Sequence, residues 1–201
     1  MAISEVQICS MALLKFGDLV ITSITSPTNK QERACAIYYP IMRDKLLYAH
    51  PWNFAVKRAD ISAIQAATPP FEWDYAYTLP ANCLRVLELY GTTANWVVEG
   101  GALKTNLDSE IYIKYVEQVT ASGRLSPTFV SCLSVLLGAE LAAQMVGGSE
   151  GSKKRLELLD ELNRVELPLA YRLNSMEGNP ILGVDEQPLD EGNYSWQTIG
   201  R

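Results

Sequence analysis

The 201-residue sequence holds one histidine, and its four cysteines, Cys9, Cys35, Cys83 and Cys132, form no C-x-x-C pair. A structural zinc site takes four ligands, so His50 alone cannot build one, and widely separated cysteines among apolar neighbours read as buried free thiols. No run of lysine and arginine is present. With a net charge of -6 and a pI near 4.9, the chain gains little counterion-release energy on a phosphate backbone, which disfavours sequence-independent nucleic-acid binding. A phosphate-cradling glycine loop, a dinucleotide fingerprint and a recognisable pair of catalytic carboxylates are also missing. The N-terminus, Met1 to Glu5, carries no basic and apolar leader, so synthesis and retention in a cytoplasm are expected. Cofactors and metals are accordingly expected to be none.

What is there is the composition of a globular chain, 48% hydrophobic and 20% charged, long enough for a full core. Ser4 and Gln7 form a capping box, and Ile8, Met11, Ala12 and Leu14 mark one face of a first helix that Gly17 can close. A second helix is expected over Lys30 to Ala49, with Ala34, Ile37, Ile41 and Tyr48 as its apolar stripe. Pro40 should kink it or divide it in two at Tyr39, and Pro51 ends it. From Trp52 to Val119 the period drops to two. Phe71, Trp73, Tyr75 and Tyr77 share one side of an expected core strand, with Glu72 and Asp74 opposite. Further strands follow around Val86 and over Ile111 to Tyr115, and Gly100-Gly101 suits a tight hairpin between Trp96 to Glu99 and Ala102 to Lys104.

Ser126-Pro127 starts a helix running to about Val146. It is apolar almost all round, interrupted by Ser131, Ser134, Glu140 and Gln144; a charge at mid-bilayer costs about 2.5–3.5 kcal/mol, so a buried helix is expected rather than a membrane span. A last helix begins near Ser152 and should bend or break at Pro168. Helices, strands, helices and tail in that order predict an α+β fold. Residues 1–51 and 124–177 would form a helical bundle, 52–123 an inserted antiparallel β-rich subdomain, and 178–201 an extended acidic tail.

Gly147-Gly148-Ser149-Glu150-Gly151 spells the nucleophile elbow G-x-S-x-G. The elbow needs a preceding strand and a histidine later in the chain, whereas here a helix precedes it and His50 comes earlier. A helix cap and turn explain the glycines, and a serine hydrolase using Ser149 stands only as an alternative. His50 reads as a helix-terminal residue that donates to a carbonyl or meets the helix dipole.

Taken together, several strings resemble the tail tubular protein A family, the head-to-tail adaptors of short-tailed bacteriophages. They are Ser10 to Gly17 (SMALLKFG), Tyr39 to Leu47 (YPIMRDKLL) continuing into His50 to Ala55 (HPWNFA), Tyr75 to Leu87, Ile113 to Val116, and Pro127 to Val130. HPWNFA is the most specific, and the resemblance spans about the first 150 residues. It implies a structural virion protein without a catalytic site, a dodecameric ring around the DNA channel. The ring would join the portal protein to the tail nozzle and pass DNA without specific binding and without a membrane. An acidic lumen suits such a conduit, because a repulsive wall lets the polymer slide. A transient cytoplasmic head or tail assembly factor is the alternative. The residues expected at oligomer or partner interfaces are Phe129, Leu137, Leu141 and Met145 on the all-apolar helix, and Tyr194, Trp196 and Ile199 as apolar anchors in the tail.

Overall fold

The computed structural model describes residues 3–62, 71–108 and 110–177. Helix α1, Glu5–Leu14, starts at the reciprocal Ser4 and Gln7 box and ends ahead of Gly17, whose φ of 80° turns the chain away. Its buried face is Ile8, Cys9, Ala12 and Leu13, while Met11 and Leu14 are exposed. The expected stripe is therefore offset by about a quarter turn.

Helix α2, Lys30–Ala49, opens with an Asn29 and Glu32 capping box and runs through Pro40 as one continuous helix. The two-helix option does not occur; the missing N–H costs one bond at the Ala36 carbonyl and the flanking turns carry the helix across. Its stripe is also corrected. Cys35, Tyr39, Met42, Leu46 and Leu47 face inward together with Glu32 and Arg43, and Ile37, Ile41 and Tyr48 face outward, each more than half exposed.

After a short 3-10 turn at Asn53–Ala55, the strands β1 (Val56–Ile61), β2 (Tyr75–Thr78), β3 (Cys83–Tyr90), β4 (Trp96–Glu99), β5 (Ala102–Thr105) and β6 (Ile111–Glu117) form two antiparallel three-stranded sheets. Their orders are β1-β6-β3 and β2-β5-β4. Gly100 and Gly101, at φ 60° and 78°, make the expected hairpin, since both central positions of that tight turn require positive φ. The aromatic run is shorter than its alternation suggested. Only Tyr75 and Tyr77 lie in β2; Phe71 is exposed and Glu72 turns the chain with φ 71°.

Helix α3, Pro127–Met145, is capped by Ser126 with proline in its first turn. It packs against α1 and α2, and against the two helices that follow it, α4 (Gly148–Glu161) and α5 (Leu167–Met176). It is long and apolar enough to cross a membrane, and 67% of that window is buried against the rest of the chain. Two close approaches set this packing. A Cβ on Gly138 would meet the Ala12 carbonyl oxygen at 2.9 Å, and one on Gly151 the Ala142 carbonyl oxygen at 2.9 Å.

Helix α4 starts four residues earlier than the expected Ser152, because Gly147 in the left-handed region turns the chain straight out of α3. Between α4 and α5 lies a π-helical segment, Leu162–Glu166, where the Leu167 N–H reaches back to Leu162. Pro168 explains it: proline lacks the N–H for the Arg164 carbonyl and its ring would press on that oxygen, and the wider turn relieves both. The expected bend is thus met by a π turn inside a helix that does not break.

The architecture is α+β. One buried cluster gathers the inward faces of all five helices with Trp52, Ala55, Val116 and Val119; a second lies wholly among the strands, around Tyr77, Leu103, Ile111 and Ile113. Strand β6 belongs to both, sending Ile113 and Tyr115 into the strand cluster and Val116 into the helical one.

Candidate interaction surfaces

The HPWNFA string is where helix becomes sheet. Trp52 is fully buried, and its Nε1–H donates to the Leu46 carbonyl at 2.9 Å, capping one of the free carbonyls at the end of α2. Its ring meets Phe129 edge-on at 5.2 Å, and Phe54 meets Phe129 at the same centroid distance. His50 stacks on Tyr171 of α5 at 4.3 Å. The Asn174 side chain closes the junction: its oxygen accepts from the Asn53 backbone N–H at 2.9 Å, and its Nδ2 sits 3.2 Å from His50 Nε2. That nitrogen is best satisfied as an acceptor. Burial, with the nearby Arg85 charge, holds the imidazole below its ordinary pKa and so neutral. With Nε2 accepting from an amide, the neutral ring carries its proton on Nδ1.

Two further charged groups fix the frame. Glu32 is buried and gathers the loop before α2, accepting from the backbone N–H and hydroxyl of Thr28 at 2.7 and 2.8 Å and from the same groups of Thr22 at 3.2 and 3.0 Å. The Thr28 bonds, then those of Thr22, outweigh desolvation and lower its pKa to about 2. Glu117, at the end of β6, is held by Lys57 at 2.7 Å, Arg124 at 2.8 Å and Asn82 at 2.8 Å. Burial pushes its carboxyl up, and the bonds from Arg124 and Lys57 bring it below the usual range.

Ser149 lies in the exposed first turn of α4, after a helix and not a strand. His50 has its ring contacts with Trp52, Tyr171 and Asn174 instead. Gly147 serves the turn and Gly151 the contact with α3. Among the described residues no three His, Cys, Asp or Glu side chains cluster as a metal site. Cys9, Cys35 and Cys132 are buried free thiols, with Cys83 half-buried; a hydrogen bond to Cys35 and then burial push the Cys9 thiol far up.

Of the expected interface residues, Phe129, Leu137 and Leu141 are fully buried in the helical cluster, Phe129 against Trp52 and Phe54. In the single chain these three side chains contribute to the helical core. Met145, near the end of α3, is half-buried. Tyr194, Trp196 and Ile199 lie outside the described residues. Sequence reasoning missed the apolar side chains that the fold leaves outside: Ile37 and Ile41 on α2, Leu14 on α1, Leu156 on α4, Met176 on α5, and the tyrosines Tyr90 and Tyr112 on the outer face of the first sheet. Their signal was legible on α2, where Ile37, Ile41 and Tyr48 recur at helical spacing. Periodicity gives a stripe and not the side it faces. A comparison with protein-family models finds no match, and one with curated proteins finds none either.

Proposed function

We propose that this chain is a structural adaptor that assembles into a ring between a phage portal and tail nozzle, dodecameric as in the family it resembles. In this reading the N- and C-terminal helices form the bundle that supports the ring and the β-rich insertion reaches toward neighbouring tail parts. The observation that carries it is the distribution of exposed apolar side chains over α1, α2, α4 and α5 of one chain. Exposed apolar side chains on several helices supply candidate contact surfaces, and a subunit flanked on two sides in a ring needs two of them. The most specific string of the resemblance also has a physical role of its own: HPWNFA clamps α2 to α3 and α5 where the sheet begins, which supports a scaffold reading. The acidic net charge suits a channel through which DNA slides without specific contacts.

The testing experiment is a protein inventory of purified mature virions with quantification against the portal. Presence in fixed proportion to the portal is expected; presence in the infected-cell lysate and absence from virions would assign the chain to transient assembly instead.

A further inference from the structure

The outer face of the sheet β1-β6-β3 carries two grooves of about 410 and 590 Å³ that share Arg58 and Lys114 as walls. One continues to Tyr90 and Tyr112, which stand opposite each other in the β3 and β6 register and are 74% and 50% exposed. The other ends at Asn174 and Ser175, one turn before the described chain stops at Glu177. Arg58 has no ion pair among the described residues, and Lys114 has only Glu88 at 3.5 Å with both side chains partly exposed, a pair of little worth in water.

We propose that the chain's own C-terminal segment, residues 178–201, docks in this groove before assembly, with its acidic stretch on Arg58 and Lys114 and its aromatic end on Tyr90 and Tyr112. Three facts select this occupant. The segment leaves the described fold at the groove's own wall. It carries Asp185, Glu186, Asp190 and Glu191 against one basic residue, Arg201; the end of the groove nearest its exit has Arg58 and Lys114 and no acidic side chain among the described residues, and Asp60 and Glu88 line the groove only toward the tyrosine end. Its two aromatic residues, Tyr194 and Trp196, come after the acidic stretch, as the tyrosine pair comes last along the groove. Length is ample: from Glu177 to Tyr194 the chain can extend over about 55 Å, while Lys114 and Tyr112 are two strand positions, about 7 Å, apart. The inference stands whether or not the adaptor reading does, and docking in the free chain would keep these anchors from other partners until assembly.

Hydrogen exchange of the full chain, read by mass spectrometry, tests it. The full chain is compared with the full-length double variants Arg58→Glu/Lys114→Glu and Tyr194→Ala/Trp196→Ala, each checked for an unchanged melting temperature. Amides of 185–199 should exchange about tenfold slower or more in the parent than in either variant, and the protection should not change on tenfold dilution. Raising salt to about 1 M, where the Debye length falls to about 3 Å, should weaken it in the unaltered chain while core amides stay protected, so the claim does not depend on the variants folding. Equal exchange in parent and variants, or protection insensitive to salt, would overturn the proposal. Protection that fades on dilution would overturn it too, by assigning the groove to a second copy.

Discussion

Gly138→Ala probes the packing on which the helical core depends. Glycine inside a helix is disfavoured by about 1 kcal/mol relative to alanine, so on propensity alone the substitution should stabilise α3. The added methyl would stand 2.9 Å from the Ala12 carbonyl oxygen and 3.4 Å from Lys15 Cβ. The oxygen belongs to helical backbone near the end of α1, which accepts from the Lys15 N–H, and it cannot swing aside as a long side chain would. The helices must separate by several tenths of an ångström, opening contacts around Ile8, Cys9 and Leu13. Overpacking of this kind costs about 1–3 kcal/mol, and set against the propensity gain the net expectation is a loss of up to about 2 kcal/mol. For a chain of this size each kcal/mol moves the melting temperature by about 2–4 °C. Thermal and urea melts of the variant are the assay, with Ser152→Ala on the exposed side of α4 as a control expected within about 0.5 kcal/mol of the parent. A Gly138→Ala protein more stable than the parent would refute the close approach of α1 and α3.

Other expectations follow from the charged groups. Glu32, lowered from its ordinary value, contributes stability that is complete above about pH 4.5 and fades as pH falls toward about 2; in melts across that range Glu32→Gln should start lower and lose less, and parallel curves would contradict the loop lock. His50 is likewise lowered, so its contribution is complete above about pH 6.5 and is lost as pH falls below that value; a His50→Gln variant should lack that step in acid melts while other groups still titrate. Glu117→Gln, which weakens the bonds from Lys57 and Arg124, should cost about 1–3 kcal/mol by urea unfolding, and no change would show that those bonds contribute nothing net.

The order of elements was legible because its signals are local. The Ser4 and Gln7 box, Ser126-Pro127, Gly17 and the Gly100-Gly101 turn each act within a few residues, and all appear in the fold. The sides of α1 and α2 were not legible. Helix α2 is apolar on more than one side, and its buried face includes Glu32 and Arg43, which satisfy themselves through the Thr22 and Thr28 loop and through Asp44; no periodicity rule places two charges inward. Phe71 alternates correctly with Trp73 and Tyr75, yet the turn at Glu72 leaves it outside. The π turn before Pro168 shows proline's effect displaced upstream, onto the carbonyl it crowds. For the surfaces, an all-apolar α3 was compatible with burial in one chain or between chains, and four other helices pack against it within one chain. Exposed apolar residues come to light only once the core is known, which is why the stripe through Ile37 and Ile41 does not by itself tell which way it faces.

The adaptor account is tested most directly by mixing the purified protein with portal rings of the same phage and recording mass and negative-stain images of the mixture and of each component alone. The account predicts a new ring of density on one end of the portal and a mass increase matching a whole number of chains. A folded protein that leaves portal mass and images unchanged would contradict it.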